Sequence, residues 1–282
     1  MSEQKRIIRA GVMGWPISHS LSPRLHGFWL AQYGIAGAYE AIAVRPEDFA
    51  ATFRGLGKAG YAGVNVTVPH KEAALANVDE LDTVARRIGA VNTVVVEADG
   101  RLRGSNTDAF GFLENLKAEA PAFDAEKGPA VVLGAGGAAR AIVVALIDAG
   151  IPAITLLNRT RARAEALAAA IAGPIDVAPW EGGGDALRGA ALLVNTTTLG
   201  MTGQPPLDLD LGNLPAAALV TDIVYNPLDT PLLKAARANG HETVDGIGML
   251  LHQARPGFAA WFGVEPEVTP ALRAHVLAGI GA

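Results

Sequence analysis

The sequence predicts an α/β protein of two lobes, an N-terminal α/β lobe and a second, Rossmann-type lobe with a doubly wound parallel sheet. Strand-like and helix-like stretches alternate along the chain, a pattern typical of sheets flanked by helices. In the stretch VVLGAGGAARAIVVAL, at 131–146, a glycine-rich turn joins an apolar strand to a helix. The turn-rich segment AEAPAFDAEKGP, at 118–129, separates two runs of such elements.

The first run is predicted to contain three strands, three helices and a hairpin. The strands lie at 6–14, 38–44 and 63–69, and the helices at 22–34, 46–60 and 70–90. The stretch 91–106 reads as a hairpin that turns at Asp99-Gly100, a favoured turn pair. A linking helix is predicted at 107–120.

The second run begins at residue 130. Strands are predicted at 130–136, 153–160, 191–198 and 219–225, and helices at 137–150, 161–172, 230–240, 249–262 and from 270 onward. We expect residues 1–107 to form the first domain, completed by C-terminal helices at 246–282. Residues 108–245 would form the dinucleotide-binding domain.

Composition narrows the classes of function. Of the 282 residues 50% are hydrophobic and 18% are charged, which suits a folded core. The net charge of −5 gives no broad basic surface for nucleic acid, and the absence of cysteine excludes disulfides and thiolate chemistry. With no signal peptide and no apolar run of membrane-spanning length, we expect a cytoplasmic protein with neither nucleic-acid nor membrane partners.

The strand at 63–69 carries a polar face. Val64, Val66 and Val68 alternate with Asn65 and Thr67, so we expect the valines to face the core and the polar pair to face the other side. Lys71 follows at a predicted helix start, where a cation opposes the helix dipole. Local physics leaves two readings of Lys71 open, a solvated side chain or a functional group.

Hydroxyl groups gather in the loop before the first helix, at Ser18, Ser20 and Ser22. Ser22 followed by Pro23 predicts an N-cap and a proline at the first helical position. Hydroxyls beside a helix N-terminus also suit a bound carboxylate, and both roles can hold. The six histidines form no cluster with metal-ligand spacing, so we expect no metal.

Further polar residues surround the hairpin. Asn92 and Thr93 stand at its first strand, and Asn106, Thr107 and Asp108 follow its second. Asp108 lies at a helix start, where an acidic residue is favourable, so local physics alone favours a capping or first-turn role.

The glycine loop predicts a dinucleotide site. Gly134, Gly136 and Ala139 form G-x-G-x-x-A, which permits a tight turn, close approach of a pyrophosphate and close helix–strand packing. The backbone N–H groups and the helix dipole favour phosphates. The alternative is a purely structural βα turn.

The end of the next strand indicates which dinucleotide is bound. An NAD site would carry a carboxylate there, whereas this chain has Asn158, Arg159 and Thr160, followed by Arg161 and Arg163. Guanidinium groups bind a 2′-phosphate that a carboxylate would repel. We therefore predict NADP rather than NAD.

Eight motifs in order resemble the shikimate dehydrogenase family across nearly the whole chain. They are GWPISHSLSPRLH at 14–26, GVNVTVPHKE at 63–72, GAVNT at 89–93, NTD at 106–108, GAGGAARA at 134–141, NRT with RAE at 158–165, DIVYNPLDTPLL at 222–233 and DGIGMLLHQA at 245–254. Arg255-Pro256-Gly257 departs from the family pattern in the C-terminal helix.

The resemblance implies NADPH-dependent, reversible reduction of 3-dehydroshikimate to shikimate, a step toward chorismate and the aromatic amino acids. It implies that Lys71 and Asp108 form the catalytic pair and leaves open which of them transfers the proton. It assigns to the substrate Ser20, Ser22, Asn65, Thr67, Asn92, Tyr225 and Gln253. It assigns to NADP the loop residues Gly134, Ala135, Gly136, Gly137 and Ala138, with Asn158, Arg159, Thr160, Arg163, Gly246 and Met249.

Three alternatives remain beside this interpretation. One is a quinate/shikimate dehydrogenase with broader substrate and cofactor use, which Arg159 disfavours. Another is a non-catalytic dinucleotide-binding regulator, which the presence of both Lys71 and Asp108 disfavours. The third is another two-lobed reductase with the same cofactor fold, which the stretch NVTVPHK at 65–71 and the serine loop disfavour. The oligomeric state stays open, with a homodimer as one option.

Overall fold

The computed structural model describes residues 7–181 and 183–280, which form two compact units. The first unit holds the chain up to Thr107 together with the chain from Gln253 onward, and the second is Asp108–His252. The division between His252 and Gln253 lies inside the helix that runs from Ile247 to Phe262. The expected domain boundary at residue 246 stays a prediction.

The strands and helices alternate along the chain. In order they are β1 (Ile8–Gly14), α1 (Ser22–Gln32), β2 (Gly37–Ala43), α2 (Phe49–Arg54), β3 (Tyr61–Val66), α3 (Lys71–Asn77), β4 (Glu80–Leu81), α4 (Thr83–Ile88), β5 (Thr93–Val96), β6 (Leu102–Ser105), α5 (Asp108–Glu119), β7 (Ala130–Leu133), α6 (Gly137–Asp148), β8 (Ile154–Leu157), α7 (Arg161–Ala170), β9 (Ile175–Ala178), α8 (Gly183–Ala186), β10 (Leu192–Asn195), β11 (Leu219–Asp222), α9 (Pro231–Ala238), β12 (Thr243–Val244), α10 (Ile247–Phe262) and α11 (Pro270–Leu277).

The first unit is built on a mixed six-stranded sheet in the order β2-β1-β3-β5-β6-β4. β1 pairs in parallel with β2 and β3, whereas β5 is antiparallel to both β3 and β6. β3 therefore lies inside the sheet, and its residues Gly63 to Val66 are all buried. One core cluster contains Val64 and Val66 with Phe49 and Phe53.

The predicted single helix at 70–90 is wrong, because the chain folds there as α3, the short strand β4 and α4. The Asp82 carboxylate accepts a hydrogen bond from the Ala85 N–H at 2.6 Å and caps α4. Asp79 accepts from the Leu102 N–H at 2.8 Å, beside the pairing of β4 with β6. The pairing with β6 is a long-range contact that helical periodicity does not reveal.

The C-terminal helix α10 packs closely on the sheet of the first unit. The Trp261 indole N–H donates to the Val94 carbonyl at 3.0 Å, and a Cβ atom on Gly63 would lie 2.1 Å from that indole nitrogen. Gly63 is thus needed where the helix crosses β3. α10 continues through Pro256 despite the departure from the family pattern.

The second unit is a parallel six-stranded sheet in the order β12-β11-β10-β7-β8-β9. All four residues of β7, β10 and β11 are buried, as expected for a sheet covered on both faces. This arrangement confirms the predicted Rossmann-type fold. β9 and β12 were not predicted. Among the described residues, no helix is long and apolar enough to cross a membrane.

Candidate active site

Two buried asparagines of the first unit lie at the centre of one hydrogen-bond network. The Asn65 amide group donates to the Asn92 carbonyl at 3.2 Å and to the Thr93 hydroxyl at 3.0 Å. Because a carbonyl can only accept, these bonds establish which end of the Asn65 amide carries nitrogen. The Thr93 hydroxyl in turn donates to Asn92 Oδ1 at 2.9 Å.

The same asparagine anchors the chain just before Asp108. The Thr107 N–H donates to Asn92 Oδ1 at 2.8 Å, and the Thr107 hydroxyl lies 3.2 Å from the same oxygen. The neighbouring Asn106 amide donates to the Ala90 carbonyl at 3.0 Å. Asn92 Oδ1 is therefore occupied by protein donors, so a contact from this amide to a ligand would be donated by Nδ2. Asp108, the next residue, is buried at the start of α5.

Lys71 is the first residue of α3 and is half-buried. Its backbone carbonyl accepts from the Val91 N–H at 3.0 Å, which ties the lysine to the segment that carries Asn92. The preceding residue, His70, is buried, with its Nε2 atom 2.7 Å from the Val44 carbonyl and its ring stacked on Phe49. These contacts hold the start of α3 in place.

The structure corrects the predicted pattern of the strand at 63–69. β3 ends at Val66, and Val68 is 68% exposed rather than facing the core. β3 is an interior strand, so the polar face that carries Asn65 is covered as well as the apolar face. Asn65 is therefore buried. Thr67 is half-buried beyond the strand end, where its N–H donates to the Met13 carbonyl at 2.9 Å.

Ser22 does not cap α1 as predicted. The helix begins at Ser22 itself, the N-cap position is Leu21, and no side chain caps the helix. The Ser22 side chain is instead buried within the first unit. The Ser20 hydroxyl accepts from the Ser22 N–H at 3.3 Å, so the two serines are neighbours.

Gln253 lies on the face of α10 that passes the network. A Cβ atom on Gly257 would lie 3.3 Å from the Thr93 side chain. Gln253 is four residues earlier on the helix and therefore on the same face. Its side chain is half-buried. The structure thus joins Asn65 and Asn92 through hydrogen bonds, with Lys71 and Gln253 on adjoining elements.

In the second unit the glycine loop follows β7 and leads into α6. Gly134 has a left-handed backbone with φ of 108°, and a Cβ atom there would lie 2.6 Å from the Thr196 hydroxyl. Gly136 stands at the N-cap of α6, which has no side-chain cap, and nothing lies within 4 Å of an added Cβ at Gly136 or Gly137. Uncapped N–H groups and open space beside them fit a pyrophosphate. Ala135 in the loop and Ala138 in the first turn of α6 are both half-buried.

The next predicted cofactor residues follow β8. The Asn158 amide donates to the Thr160 carbonyl at 2.8 Å, which shapes the turn into α7. Arg161 pairs with Glu165 at 2.7 Å. Within 7–181 and 183–280, Arg159 and Arg163 are exposed and make no ion pair with a carboxylate, so their guanidinium groups suit a phosphate.

The remaining predicted residues lie near the end of β11. A Cβ atom on Gly246 would lie 2.3 Å from the Ile223 carbonyl oxygen, so this glycine permits close contact with the chain that leads to Tyr225. Burial raises the pKa of the half-buried Tyr225. Met249 is buried on α10. Gly134, Asn158 and Tyr225 all follow the carboxyl ends of parallel strands, the edge where such sheets bind ligands.

Several polar residues of these sites escaped the sequence analysis. Tyr39 and the hydrogen bonds of Thr93 and Thr107 carried no local signal. Asp222 is fully buried and accepts from Asn195 at 2.9 Å, from the Val224 N–H at 3.0 Å and from Thr230 at 2.8 Å. In the sequence, only the motif DIVY at 222–225 drew attention to this residue. The described residues contain no group of three or more potential metal ligands.

Comparisons with known proteins show the family of the chain. Residues 12–94 match the family profile described as "Shikimate dehydrogenase substrate binding domain", and residues 117–198 match "Shikimate / quinate 5-dehydrogenase". The chain is 64% identical over 272 residues to a shikimate dehydrogenase (NADP(+)) of Rhodospirillum rubrum, covering 95% of this chain and 96% of the relative.

Solved structures give the same result. A shikimate 5-dehydrogenase from Thermus thermophilus, in complex with NADP(H) and shikimate, is 40% identical with a TM-score of 0.86, covering 97% of this chain and 100% of that one. A quinate dehydrogenase from Corynebacterium glutamicum, in complex with NAD, is 33% identical with a TM-score of 0.89, covering 96% and 99%. With these similarities over nearly its full length, the chain belongs to the shikimate dehydrogenase family.

Proposed function

We propose that the chain catalyses the reversible, NADPH-dependent reduction of 3-dehydroshikimate to shikimate, within the chorismate pathway of aromatic amino acid biosynthesis. The observation that carries this proposal is the full-length identity of 64% to a shikimate dehydrogenase (NADP(+)). The polar network of the first unit and the phosphate cradle of the second supply residue types that this chemistry needs.

The catalytic groups in this proposal are Lys71 and Asp108. When bound, NADPH supplies the hydride for the ketone carbon. Charge then develops on the ketone oxygen, and the Lys71 ammonium stabilises that charge and donates the proton. Asp108 completes the pair. Support comes from two hydrogen bonds within the first unit, from the Val91 N–H to the Lys71 carbonyl and from the Thr107 N–H to Asn92 Oδ1, because Val91 and Asn92 are adjacent residues.

The substrate is a carboxylate with several hydroxyl groups, so its site needs neutral donors and acceptors. We assign Ser20, Ser22 and Tyr225 to the carboxylate end. To the hydroxyl groups we assign Asn65, Thr67, Asn92 and Gln253. Both amide hydrogens of Asn65 are used within the protein, so Asn65 can only accept from a substrate hydroxyl, through Oδ1.

The cofactor residues are assigned by position along the sheet edge of the second unit. Gly134 to Ala138 cradle the pyrophosphate, and Gly246 and Met249 serve the nicotinamide end. Asn158, Arg159, Thr160 and Arg163 hold the adenosine end. The exposed guanidinium groups of the two arginines support binding of the 2′-phosphate that distinguishes NADP from NAD.

A quinate dehydrogenase is the second candidate, because a relative with that name and bound NAD has a TM-score of 0.89 to this chain. One set of assays separates the two functions: shikimate and quinate are each tested with NADP and NAD, following the absorbance of the reduced nicotinamide. We expect the highest kcat/KM with shikimate and NADP. Activity restricted to quinate and NAD would overturn the proposal.

Two further proposals concern the whole protein. A cytoplasmic location rests on the sequence expectation and is checked by cell fractionation.

A homodimer is supported by an apolar groove along α1 and α11, lined in part by Pro23, Phe28 and Ala31. Light scattering measures the mass of the protein in solution and so separates a dimer from a monomer, whose mass is 29.1 kDa.

A further inference from the structure

Asn115 on α5 contacts the start of α10 within the second unit. Its amide nitrogen donates to the Asp245 carbonyl at 2.8 Å, and its side-chain oxygen lies against Gly248. We propose that Asn115 is a positioning residue for the nicotinamide end of the cofactor, because it holds the backbone that carries Gly246 and Met249. This inference rests on the proposed function, which assigns those two residues to the nicotinamide.

Asn115 lies on the same face of α5 as Asp108. The two residues are separated by seven positions, which is two helical turns and about 10 Å along the helix axis. Both side chains are buried. The helix that begins with the proposed catalytic carboxylate therefore also carries the residue that holds the proposed nicotinamide segment, so one rigid element relates the positions of the two.

The hydrogen bond establishes which way the Asn115 amide points. A carbonyl can only accept, so the atom 2.8 Å from the Asp245 oxygen is the amide nitrogen. The other end of the amide, Oδ1, is buried and has no hydrogen-bond partner within 7–181 and 183–280. A buried oxygen without a donor costs free energy that an apolar side chain would avoid. An amide here therefore points to a role for its donated bond beyond packing.

Gly248 lies directly against the unpartnered oxygen. An added Cβ on Gly248 would lie 1.8 Å from Asn115 Oδ1 and 2.6 Å from its Cγ, and the three heavy atoms nearest to that Cβ all belong to Asn115. In glycine a hydrogen occupies this direction, so a Cα–H group faces the oxygen in a weak contact. The first turn of α10 therefore packs on the amide at a distance that only glycine permits.

The same backbone is contacted by a second part of the unit. An added Cβ on Gly246 would lie 2.3 Å from the Ile223 carbonyl oxygen, in the chain that follows β11. Asn115 and this chain together leave the segment little freedom to shift. Hydride transfer requires aligned carbon atoms, and a displacement of about 1 Å can lower the rate about 10²-fold. Loss of the Asn115 contact should therefore disturb the nicotinamide end of NADP and spare the adenosine end.

The first test compares two ligands of Asn115→Ala in the full-length protein. One is NADP, and the other is adenosine 2′,5′-bisphosphate, which keeps the adenosine end and lacks the nicotinamide. By calorimetric titration we expect Kd for NADP to rise about five- to tenfold, while Kd for the bisphosphate stays unchanged. A merely structural role would weaken both ligands alike, because both need a folded unit. Equal weakening of both, or an unchanged Kd for NADP, would overturn the inference.

Steady-state kinetics gives an independent readout of alignment. In Asn115→Ala, kcat for shikimate oxidation should fall at least about tenfold, whereas KM for shikimate should change less than about threefold. Asn239→Ala is the matched control, since it makes the same change at an exposed position of the same unit. It should resemble the wild type in kinetics and in both Kd values. A wild-type kcat in Asn115→Ala would contradict the positioning role.

Gly248→Ala tests the contact from the other side. Its new Cβ would meet Asn115 Oδ1, so we expect this variant to bind NADP more weakly as well. The double variant Asn115→Ala with Gly248→Ala lacks the colliding atoms, so its Kd for NADP should rise by less than the product of the two single effects. A rise equal to that product would show that the two residues act independently and would refute the contact.

Met249→Ala separates this inference from the assignment of the cofactor site. If Met249→Ala weakens NADP and not the bisphosphate, while Asn115→Ala weakens neither, the nicotinamide assignment holds and the role of Asn115 is refuted. A wild type inactive with shikimate and NADP would contradict the proposed function and this inference with it. An active wild type that Asn115→Ala matches in every value would contradict the inference alone.

Discussion

At the scale of single residues, two buried amides limit the hydrogen bonds that the proposed substrate site of the first unit can make with a ligand. Asn92 Oδ1 is occupied by Thr93 and Thr107, whereas both amide hydrogens of Asn65 are used within the protein. One asparagine can therefore offer a donor to a substrate and the other an acceptor. The two asparagines would therefore present a donor and an acceptor, respectively, to a ligand. The difference arises because their hydrogen-bond partners within the protein differ.

Lys71→Ala tests the proposed proton donor. Removing a general acid should lower kcat by about 10²- to 10⁴-fold, whereas KM for shikimate should change only a few-fold. Steady-state kinetics in the direction of shikimate oxidation gives both values. Lys58→Ala, which removes an exposed lysine of the same unit, is the control and should behave as wild type. A near-normal kcat for Lys71→Ala would refute a catalytic lysine.

Arg159→Asp tests the selection of NADP. A carboxylate would repel the 2′-phosphate, so we expect KM for NADP to rise at least about tenfold while KM for NAD changes little. Arg161→Asp makes the same charge change two residues later, where the native guanidinium is already paired with Glu165. This control should alter the ratio of the two KM values much less. Equal loss for both cofactors in Arg159→Asp would contradict the phosphate contact.

At the scale of elements, we expect Gly134 and Gly136, in the turn from β7 to α6, to have different roles. Gly136 has open space around an added Cβ, so Gly136→Val should raise KM for NADP strongly by filling the phosphate cradle, with little change in Tm. Gly134→Ala should lower Tm, because its backbone has φ of 108° and the Thr196 hydroxyl is 2.6 Å from the new atom. Thermal melts and cofactor titration check both. A large loss of Tm in Gly136→Val would count against a ligand cradle.

Asp222 joins three elements of the second unit. It accepts from Asn195 at the end of β10, from Val224 after β11, and from Thr230, whose hydroxyl caps α9. Burial raises the pKa of Asp222 from its ordinary value of 3.8 to about 6, although all three hydrogen bonds favour the ionised form. Desolvation outweighs these bonds because the side chain is fully buried.

The sign of the resulting pH dependence follows from the raised pKa. The folded state binds the Asp222 proton more tightly than the unfolded state, so protonation of Asp222 adds to the free energy of unfolding. This contribution is complete below about pH 4 and is lost as pH rises through about 6. Relative to Asp222→Asn, wild type should lose about 2 kcal/mol of unfolding free energy between about pH 4 and about pH 8. Urea titrations at several pH values measure the free energy of unfolding of both proteins. Parallel curves for the two proteins would show that Asp222 does not titrate in this range.

At the scale of the whole molecule, the chain forms one continuous unit and one discontinuous unit. Residues 108–252 contain a complete six-stranded sheet and a core cluster of their own. The other unit needs chain segments from both ends of the sequence. The continuous unit is thus the part that could fold by itself.

We therefore expect a fragment of residues 108–252 to unfold cooperatively and to bind NADPH, yet to have no dehydrogenase activity. Circular dichroism melts and cofactor fluorescence measure these properties. The same fragment with Gly136→Val is the control and should fold without binding. A fragment without a cooperative transition would mean that the unit depends on the rest of the chain.

The sequence by itself determined the α/β class, the Rossmann-type turn and the preference for NADP, because these depend on local patterns. Helical and strand periodicity, glycine spacing and the arginine after β8 act over a few neighbouring residues. The eight family motifs extended this to the reaction. Local physics alone left Lys71 undecided and favoured a capping or first-turn role for Asp108.

Only the tertiary structure decided how the polar residues are oriented and partnered. Asn65 Oδ1 accepts a hydrogen bond from the Tyr39 hydroxyl, Val68 is exposed, and the predicted helix at 70–90 is divided by β4. Each of these outcomes depends on parts of the chain distant in sequence: Tyr39 on β2, the strands on either side of β3, and the pairing of β4 with β6. A buried hydrogen bond requires both partners in place, and sequence spacing does not specify a partner on another element.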